Sequence, residues 1–136
     1  MSESTVDSAA DNMSGPSIKL GVVVLDTPDP AGSADFYSKL LGVEVANADD
    51  DWVSLRGAAN GLRLAFQLAP NLIPPTWPDG EVPQQFHLDL YVEDLETAVQ
   101  HAVSLGARLV EGPDPSPEDF RTYLDPAGHP FCLCKA

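Results

Sequence analysis

The fold is decided by residues 86–106, FHLDLYVEDLETAVQHAVSLG. Apolar and polar residues alternate over residues 86–92, a pattern that predicts a strand with one apolar face. From residue 95 to residue 105 the apolar residues recur at spacings of three and four, which predicts an amphipathic helix. Asp94 stands at the N-cap position, where its carboxylate can accept hydrogen bonds from free backbone amides, and Gly106 ends the helix. The stretch therefore predicts one strand-helix unit.

The first half of the chain repeats this order. Residues 18–25 form a Val-rich apolar run that predicts a buried strand, Asp29 follows, residues 31–41 carry helical spacing, and Gly42 ends that helix. Short strands are predicted after each helix: 43–45, 52–55 and 62–68 in the first half, and 109–110, 120–124 and 131–134 in the second. The repeat indicates two tandem copies of one unit, and so predicts an α+β fold around a shared small-molecule cleft.

The boundaries between these units follow from composition. Residues 70–84 hold five prolines and no hydrophobic periodicity, so they predict a semi-rigid crossing between the two halves. Residues 1–16 are rich in Ser, Asp and Ala and predict a disordered tail. We therefore expect a single domain over residues 17–136, with one module over 17–69 and the other over 85–136.

The charge of the chain bounds its partners. Seven Lys and Arg residues stand against 21 Asp and Glu residues, which gives a formal net charge of -14. A surface this acidic repels phosphate backbones and anionic lipid headgroups, so we expect neither a nucleic acid nor a membrane partner. The N-terminus lacks the basic and apolar regions of a signal peptide, and Cys132 and Cys134 are too close along one strand to pair readily. These features predict a cytoplasmic protein.

Strand parity predicts which side chains face the cleft. In the strand that opens the second module, the apolar set packs under the helix, which leaves His87, Asp89 and Tyr91 on the opposite face. The opening strand of the first module places Val22, Val24 and Asp26 on the corresponding parity. The predicted cleft lining is Val22, Val24, Ala65, Gln67, His87, Asp89, Tyr91 and Cys132.

Together these motifs resemble those of a known family. The duplicated strand-Asp-helix-Gly unit, the stretch PPTWPDGEVPQQFHLDLYVEDLETA at residues 74–98 and the ending YLDPAGHPFCL at residues 123–133 are similar to the vicinal oxygen chelate superfamily. Within it they look most like the glyoxalase and bleomycin-resistance type of small actinobacterial proteins. The resemblance covers roughly residues 18–135 and implies paired β-α-β-β-β modules whose eight strands curl into a cup. It does not fix an activity, because one fold hosts many functions.

The resemblance also implies where a metal would lie. Metal-dependent members take one ligand from the first strand and one from the last strand of each module, and the corresponding positions here are Val22, Gln67, His87 and Cys132. Valine cannot coordinate a metal and Gln is a weak neutral ligand, whereas a dication in such a site prefers carboxylate and imidazole donors. We therefore expect no metal cofactor; if a divalent metal binds, its ligands would be His87, Gln67 and Cys132.

Several side chains have both a chemical and a structural interpretation. His87 and Asp89 are candidate catalytic residues because they could form an acid-base pair on one strand face, or they could simply line a ligand pocket. Cys132 could be a nucleophile if His87 lowered its pKa, although a cysteine in a strand is more often a small packing residue. Trp77 lies in the crossing, where its ring could stack on a planar ligand. His101 and His129 show no partner in the sequence.

The sequence thus favours a small-molecule binding protein, without the full metal site, that could sequester a natural product. The alternative is an enzyme of the same superfamily, a lyase, isomerase or dioxygenase that uses a metal or the His87 and Asp89 pair. A third possibility is that the cup is residual and the protein acts through an interface, and the resemblance implies a homodimer.

Overall fold

The computed structural model describes residues 15–57, 61–76, 80–110 and 120–135. Almost all of the predicted N-terminal tail, and Trp77, lie outside these ranges. The elements are β1 (Val23–Thr27), α1 (Pro30–Leu41), β2 (Val45–Ala48), β3 (Trp52–Leu55), β4 (Leu64–Leu68), β5 (Leu88–Val92), α2 (Leu95–Ser104), β6 (Arg108–Leu109), β7 (Phe120–Leu124) and β8 (Pro130–Lys135). Within the described ranges, neither helix is long and apolar enough to cross a membrane.

The strands form two four-stranded sheets with the same topology. The order is β1-β4-β3-β2 in the first sheet and β5-β8-β7-β6 in the second. In each sheet the first strand of the module runs parallel to the last, and the remaining pairs are antiparallel. The α+β fold predicted from the sequence repeat is confirmed.

The two helices begin differently. Asp29 caps α1 as predicted, because its Oδ1 accepts a hydrogen bond from the Gly32 amide at 3.1 Å. Asp94 precedes α2 but makes no capping bond with its side chain, and its Oδ2 instead accepts a hydrogen bond from the Thr97 hydroxyl at 2.6 Å. Asp94 therefore holds the predicted N-cap position of α2, and its strongest hydrogen bond is the one to the Thr97 side chain. Gly42 ends α1 in the left-handed region, with φ of 70°, as expected for a glycine stop.

The opening strands are shorter than predicted. Residues 18–22 lie outside β1, and Ile18 and Leu20 are 85% and 77% exposed. β1 begins at Val23, where β4 first supplies a register partner. Phe86, expected under the second helix, lies before β5 and is 44% exposed. The apolar pattern therefore predicted that these two strands exist but placed their first residues too early, because a strand begins only where a neighbouring strand can pair with it.

One hydrophobic core serves both modules. Tyr37 of α1 is fully buried and stacks on Phe66 of β4, with ring centroids 5.5 Å apart. The same ring lies 6.3 Å from the fully buried Phe131 ring of β8, in an edge-to-face arrangement. Phe36 also contacts Phe131 at 5.9 Å. The helix of the first module therefore packs on the last strand of the second.

A buried carboxylate joins the modules beneath this core. Asp125 is 1% exposed, and its Oδ2 accepts a hydrogen bond from the Tyr37 hydroxyl at 2.6 Å. Its Oδ1 accepts bonds from the backbone amides of Ala127 and His129, both at 2.9 Å. The pKa of Tyr37 is raised well above its usual value. Burial is the largest cause, and the negative charge of Asp125 and the hydrogen bond to it contribute smaller increases.

Two histidines tie the modules together, although the sequence indicated no partner for either. Nε2 of His129 donates to the backbone carbonyl of Asp26 in β1 at 2.6 Å. Nε2 of His101 donates to the carbonyl of Lys39 in α1 at 3.1 Å. Both contacts join residues far apart in the chain, so no local pattern could predict them.

Candidate functional site

The face of the second sheet turned away from the helices carries a cluster of three donor side chains, His87, Asp89 and Cys132. One potential ligand atom from each lies within 4.8 Å of the others. Nε2 of His87 lies 3.1 Å from Oδ1 of Asp89, and 32% and 49% of these side chains are exposed. Cys132 pairs in register with Asp89 and is 5% exposed. The structure therefore brings together both candidate catalytic residues and the cysteine.

The thiol in this cluster has a raised pKa. Burial raises the pKa of Cys132, the negative charge of Asp89 and a hydrogen bond to it add to the rise, and a hydrogen bond with the Thr122 hydroxyl, at 3.2 Å, opposes it. Burial likewise raises the pKa of Cys134. A protonated thiol is a poor nucleophile, which favours the packing interpretation of Cys132.

The first module lacks the corresponding donors. Val24 pairs with Ala65 in the first sheet as Asp89 pairs with Cys132 in the second, so Ala65 is the register counterpart of Cys132. Ala65 is fully buried and does not line a cleft, contrary to the sequence prediction. Gln67 lies two residues further along β4, at the position that corresponds to Cys134.

Gln67 lies in a hollow of its own. It is exposed, and it borders an open space of about 410 Å³ together with Asp51, Trp52, Leu68 and Pro70. A metal ligated by one donor from each of four strands does not fit this chain, because Val22 and Ala65 carry hydrocarbon side chains. The side chains that could still hold a metal are His87, Asp89 and Cys132. The third member of this set is Asp89, whereas the sequence indicated Gln67.

A separate cleft opens beside β1, and we call it the crossing cleft. It has a volume of about 360 Å³ and is open to solvent on one side. Its walls come from β1, from the Pro-rich crossing and from the turn before β8. The lining residues are Val24, Asp26, Leu72, Ile73, Pro75, Val82, Pro83, Gln85, Phe86 and His129.

Backbone contacts hold these walls in place. Thr76 donates its amide to the Val82 carbonyl at 2.8 Å, and the Val82 amide donates back to the Thr76 hydroxyl at 3.2 Å, so these two residues of the crossing are paired. A Cβ added at Gly128 would lie 2.6 Å from Cβ of Pro74, so the turn packs directly against the crossing. The glycine, with φ of 97°, is required there both by its conformation and by this close approach.

The crossing cleft has few polar side chains, and one of them is acidic. Asp26 contributes a carboxylate that makes no ion pair within the described ranges, and Gln85 contributes an amide. None of the seven Lys and Arg side chains lines the cleft in the part of the chain that the structure describes. Of the two ring nitrogens of His129, Nε2 is bonded to the Asp26 carbonyl, so Nδ1 is the nitrogen that could contact a ligand.

The sequence anticipated only part of this site. Of the predicted ligand-binding residues, Val24 lines the crossing cleft, Tyr91 lies 78% exposed on the open face of β5, and Trp77 lies outside the described residues. Asp26 was placed on the correct strand face but was not singled out. The signal that pointed to the other lining residues was weak: apolar side chains inside a Pro-rich segment.

Comparisons with known proteins agree with the fold. The glyoxalase-like domain family matches residues 22–134. A glyoxalase-related enzyme from Fulvimarina pelagi is 20% identical, with 87% of this chain and 88% of that chain covered and a TM-score of 0.64. A glyoxalase/bleomycin resistance protein/dioxygenase family enzyme from Burkholderia phytofirmans is 18% identical, with 85% and 96% covered and a TM-score of 0.62.

A third structure contains a metal. A mutant of the fosfomycin resistance protein FosX from Listeria monocytogenes, solved with manganese(II) and a dihydroxypropylphosphonic acid, is 14% identical, with 85% and 88% covered and a TM-score of 0.62. The search of curated protein sequences found no significant match. At these identities the structural likeness establishes the fold alone. The family match spans most of the chain, and the chain therefore belongs to the glyoxalase-like domain family of the vicinal oxygen chelate superfamily.

Proposed function

We propose that this chain binds a small organic molecule on the open side of its two sheets, without the four-ligand metal site of its superfamily. The observation that carries the proposal is the crossing cleft. Its volume of about 360 Å³ lies within the range of ligand pockets, about 300 to 1,000 Å³. Its lining is mainly apolar with a few polar groups, the usual composition of a small-molecule site. Sequestration of a natural product is one use of such a site.

Exposed apolar side chains support the choice of this cleft. Ile73 is 70% exposed and Phe86 is 44% exposed, and both line it. Large apolar side chains left in water are stabilised by about 25 cal/mol for each Å² that a ligand covers. A ligand that covers both residues therefore gains a hydrophobic contribution that the free protein lacks.

Native mass spectrometry of the protein isolated from its own host tests the proposal. We expect an organic molecule bound to the wild type and lost, or at least tenfold depleted, in Phe86→Ala. Phe120→Ala is the matched control, because Phe120 is 42% exposed but does not line the cleft. Equal occupancy in both variants, or no organic ligand in any of them, would contradict the proposal.

The competing function is an enzyme that uses the cluster of His87, Asp89 and Cys132. Its support is the 4.8 Å grouping, because catalytic zinc sites use three protein ligands and leave one position open. Dialysis against zinc followed by elemental analysis tests it. Under our proposal the wild type holds less than about a tenth of an equivalent, since the buried thiol must first lose its proton. Near-stoichiometric zinc that falls in both His87→Ala and Cys132→Ser would favour the enzyme.

Two further parts of the proposal concern assembly and location. Tyr91 and Phe120 expose large apolar surface on the second sheet, which supports a homodimer, and light scattering should give twice the chain mass of 14.5 kDa. A monomer mass at micromolar concentration would count against it.

Cys132 and Cys134 are both free thiols, which supports a reducing compartment such as the cytoplasm. Fractionation of host cells would test the location, and recovery outside the cytoplasm would overturn it.

A further inference from the structure

We infer that the ligand of the crossing cleft is an organic cation, a protonated amine carried on an apolar body. The inference rests on the proposed small-molecule function and adds the chemical class of the ligand. It follows from the charge, the aromatic lining and the arrangement of donors in the cleft.

The first step concerns charge. Asp26 places a carboxylate at a cleft whose other walls are mainly hydrocarbon, and within the described residues no Lys or Arg pairs with it. A ligand that supplies an ammonium group there makes a charge-assisted hydrogen bond that the free protein cannot make for itself. The net charge of -14 favours the approach of cations to this surface.

The second step concerns the apolar body. Phe86 presents an aromatic ring to the cleft, and the face of such a ring attracts a cation in addition to covering apolar surface. Leu72, Ile73 and Pro75 line the same space and can cover a ring or short chain. An inorganic cation would use the carboxylate but would gain nothing from these side chains.

The third step excludes an anionic ligand. Among the described lining residues His129 alone could carry a positive charge, and its Nε2 hydrogen is directed to the Asp26 carbonyl at 2.6 Å. A carboxylate or phosphate in the cleft would face Asp26, and no Lys or Arg among the described lining residues would offset the repulsion. The arrangement therefore selects against negative charge as well as for positive charge.

Three small probes of one shape test the inference: 4-phenylbutylamine, 4-phenylbutanol and 4-phenylbutyrate. Binding is measured by ligand-observed NMR and by titration of the protein's amide resonances at low salt. We expect the amine to bind about tenfold more tightly than the alcohol, as a surface ion pair together with a cation-π contact would give. The butyrate should bind most weakly, and the amine's advantage should shrink as salt is added.

Two charge variants show whether Asp26 is the cause. Asp26→Asn should reduce the preference for the amine from about tenfold to about threefold, the part that the Phe86 ring supplies, while leaving the affinity for the alcohol unchanged. Asp50→Asn, in the turn between β2 and β3, removes the same charge elsewhere and should leave the tenfold preference in place. Equal loss of the preference in both variants would assign it to net charge and overturn the role of Asp26.

The outcomes separate the two proposals. If the amine and the alcohol bind equally to the wild type, and both shift residues of the crossing, the cation inference is wrong and small-molecule binding stands. If none of the three probes shifts any cleft resonance at millimolar concentration, the cation inference is overturned and the small-molecule proposal loses its site.

Discussion

Replacing Tyr37 with Phe should weaken the whole fold, because it removes a buried hydrogen bond between the two modules. The Tyr37 ring can stay in place between the two sheets, so the substitution changes little except the hydroxyl. Without it, Oδ2 of Asp125 has no partner within the described residues, and the carboxylate is 1% exposed. The substitution therefore isolates one buried polar contact.

The magnitude follows from the charged acceptor. A hydrogen bond to a charged group contributes about 1.5 to 3 kcal/mol, and a buried group left without a partner costs a similar amount. We expect Tyr37→Phe to lower the free energy of unfolding by about 2 to 3 kcal/mol, or the melting temperature by about 10 °C in a chain of 136 residues. Tyr123→Phe is the matched control, since the Tyr123 ring is also buried and its hydroxyl makes no hydrogen bond within the described residues. It should cost less than about 0.5 kcal/mol.

Urea denaturation followed by tryptophan fluorescence measures both variants. A double-mutant cycle with Asp125→Asn should give a coupling energy above about 1 kcal/mol. The contribution also depends on pH with a definite sign. The pKa of Tyr37 is raised in the fold, so its contribution is complete below pH 10 and is lost as the pH rises above 10, when the unfolded chain releases the phenolic proton.

The difference in stability between wild type and Tyr37→Phe should therefore shrink above pH 10. Equal costs for Tyr37→Phe and Tyr123→Phe, or a coupling energy near zero, would refute the stabilising role of the Tyr37–Asp125 hydrogen bond.

Two further predictions concern a turn and the thiols. Gly128→Ala should lower the free energy of unfolding by about 2 to 4 kcal/mol, measured by calorimetry, because it adds backbone strain and a clash with Pro74. Gly106 also has a positive φ but has open space around it, so Gly106→Ala should cost only about 1 to 2 kcal/mol. Similar costs for the two variants would contradict the contact with Pro74. With a disulfide reagent at pH 7, Cys134 should react at least about tenfold faster than Cys132, because Cys132 is more buried. Both rates should keep rising as the pH passes 9, because burial raises the pKa of both thiols. A faster reaction at Cys132 would contradict this order.

Local sequence patterns predicted the helices and strands, but they did not predict the contacts between the two modules. Helix α1 was expected over residues 31–41 and runs over Pro30–Leu41, and the strand over residues 120–124 was predicted with its observed bounds. These elements depend on periodicity and on Asp and Gly at fixed places, which the sequence displays directly. The division into a tail and a single domain over residues 17–136 stays a prediction.

The candidate site was predictable where it depends on strand parity. Parity correctly put His87 and Asp89 on one face with Cys132. It could not give the register between β1 and β4, which depends on how two distant strands align, and so Gln67 was matched to the wrong position. The crossing cleft depends on contacts between segments about a hundred residues apart, such as His129 with Asp26, and no local rule supplies these.

The contact of His129 with Asp26 joins one residue from each module, and the duplicated fold does not repeat it. In the second module the position of Asp26 is taken by Tyr91, and in the first module the position of His129 is taken by Leu62, according to the register of the two sheets. The duplicated fold therefore does not duplicate the cleft. Under the proposed function, titration of the crossing cleft with a ligand should saturate at one molecule per chain. The two halves, although built to one plan, are no longer interchangeable.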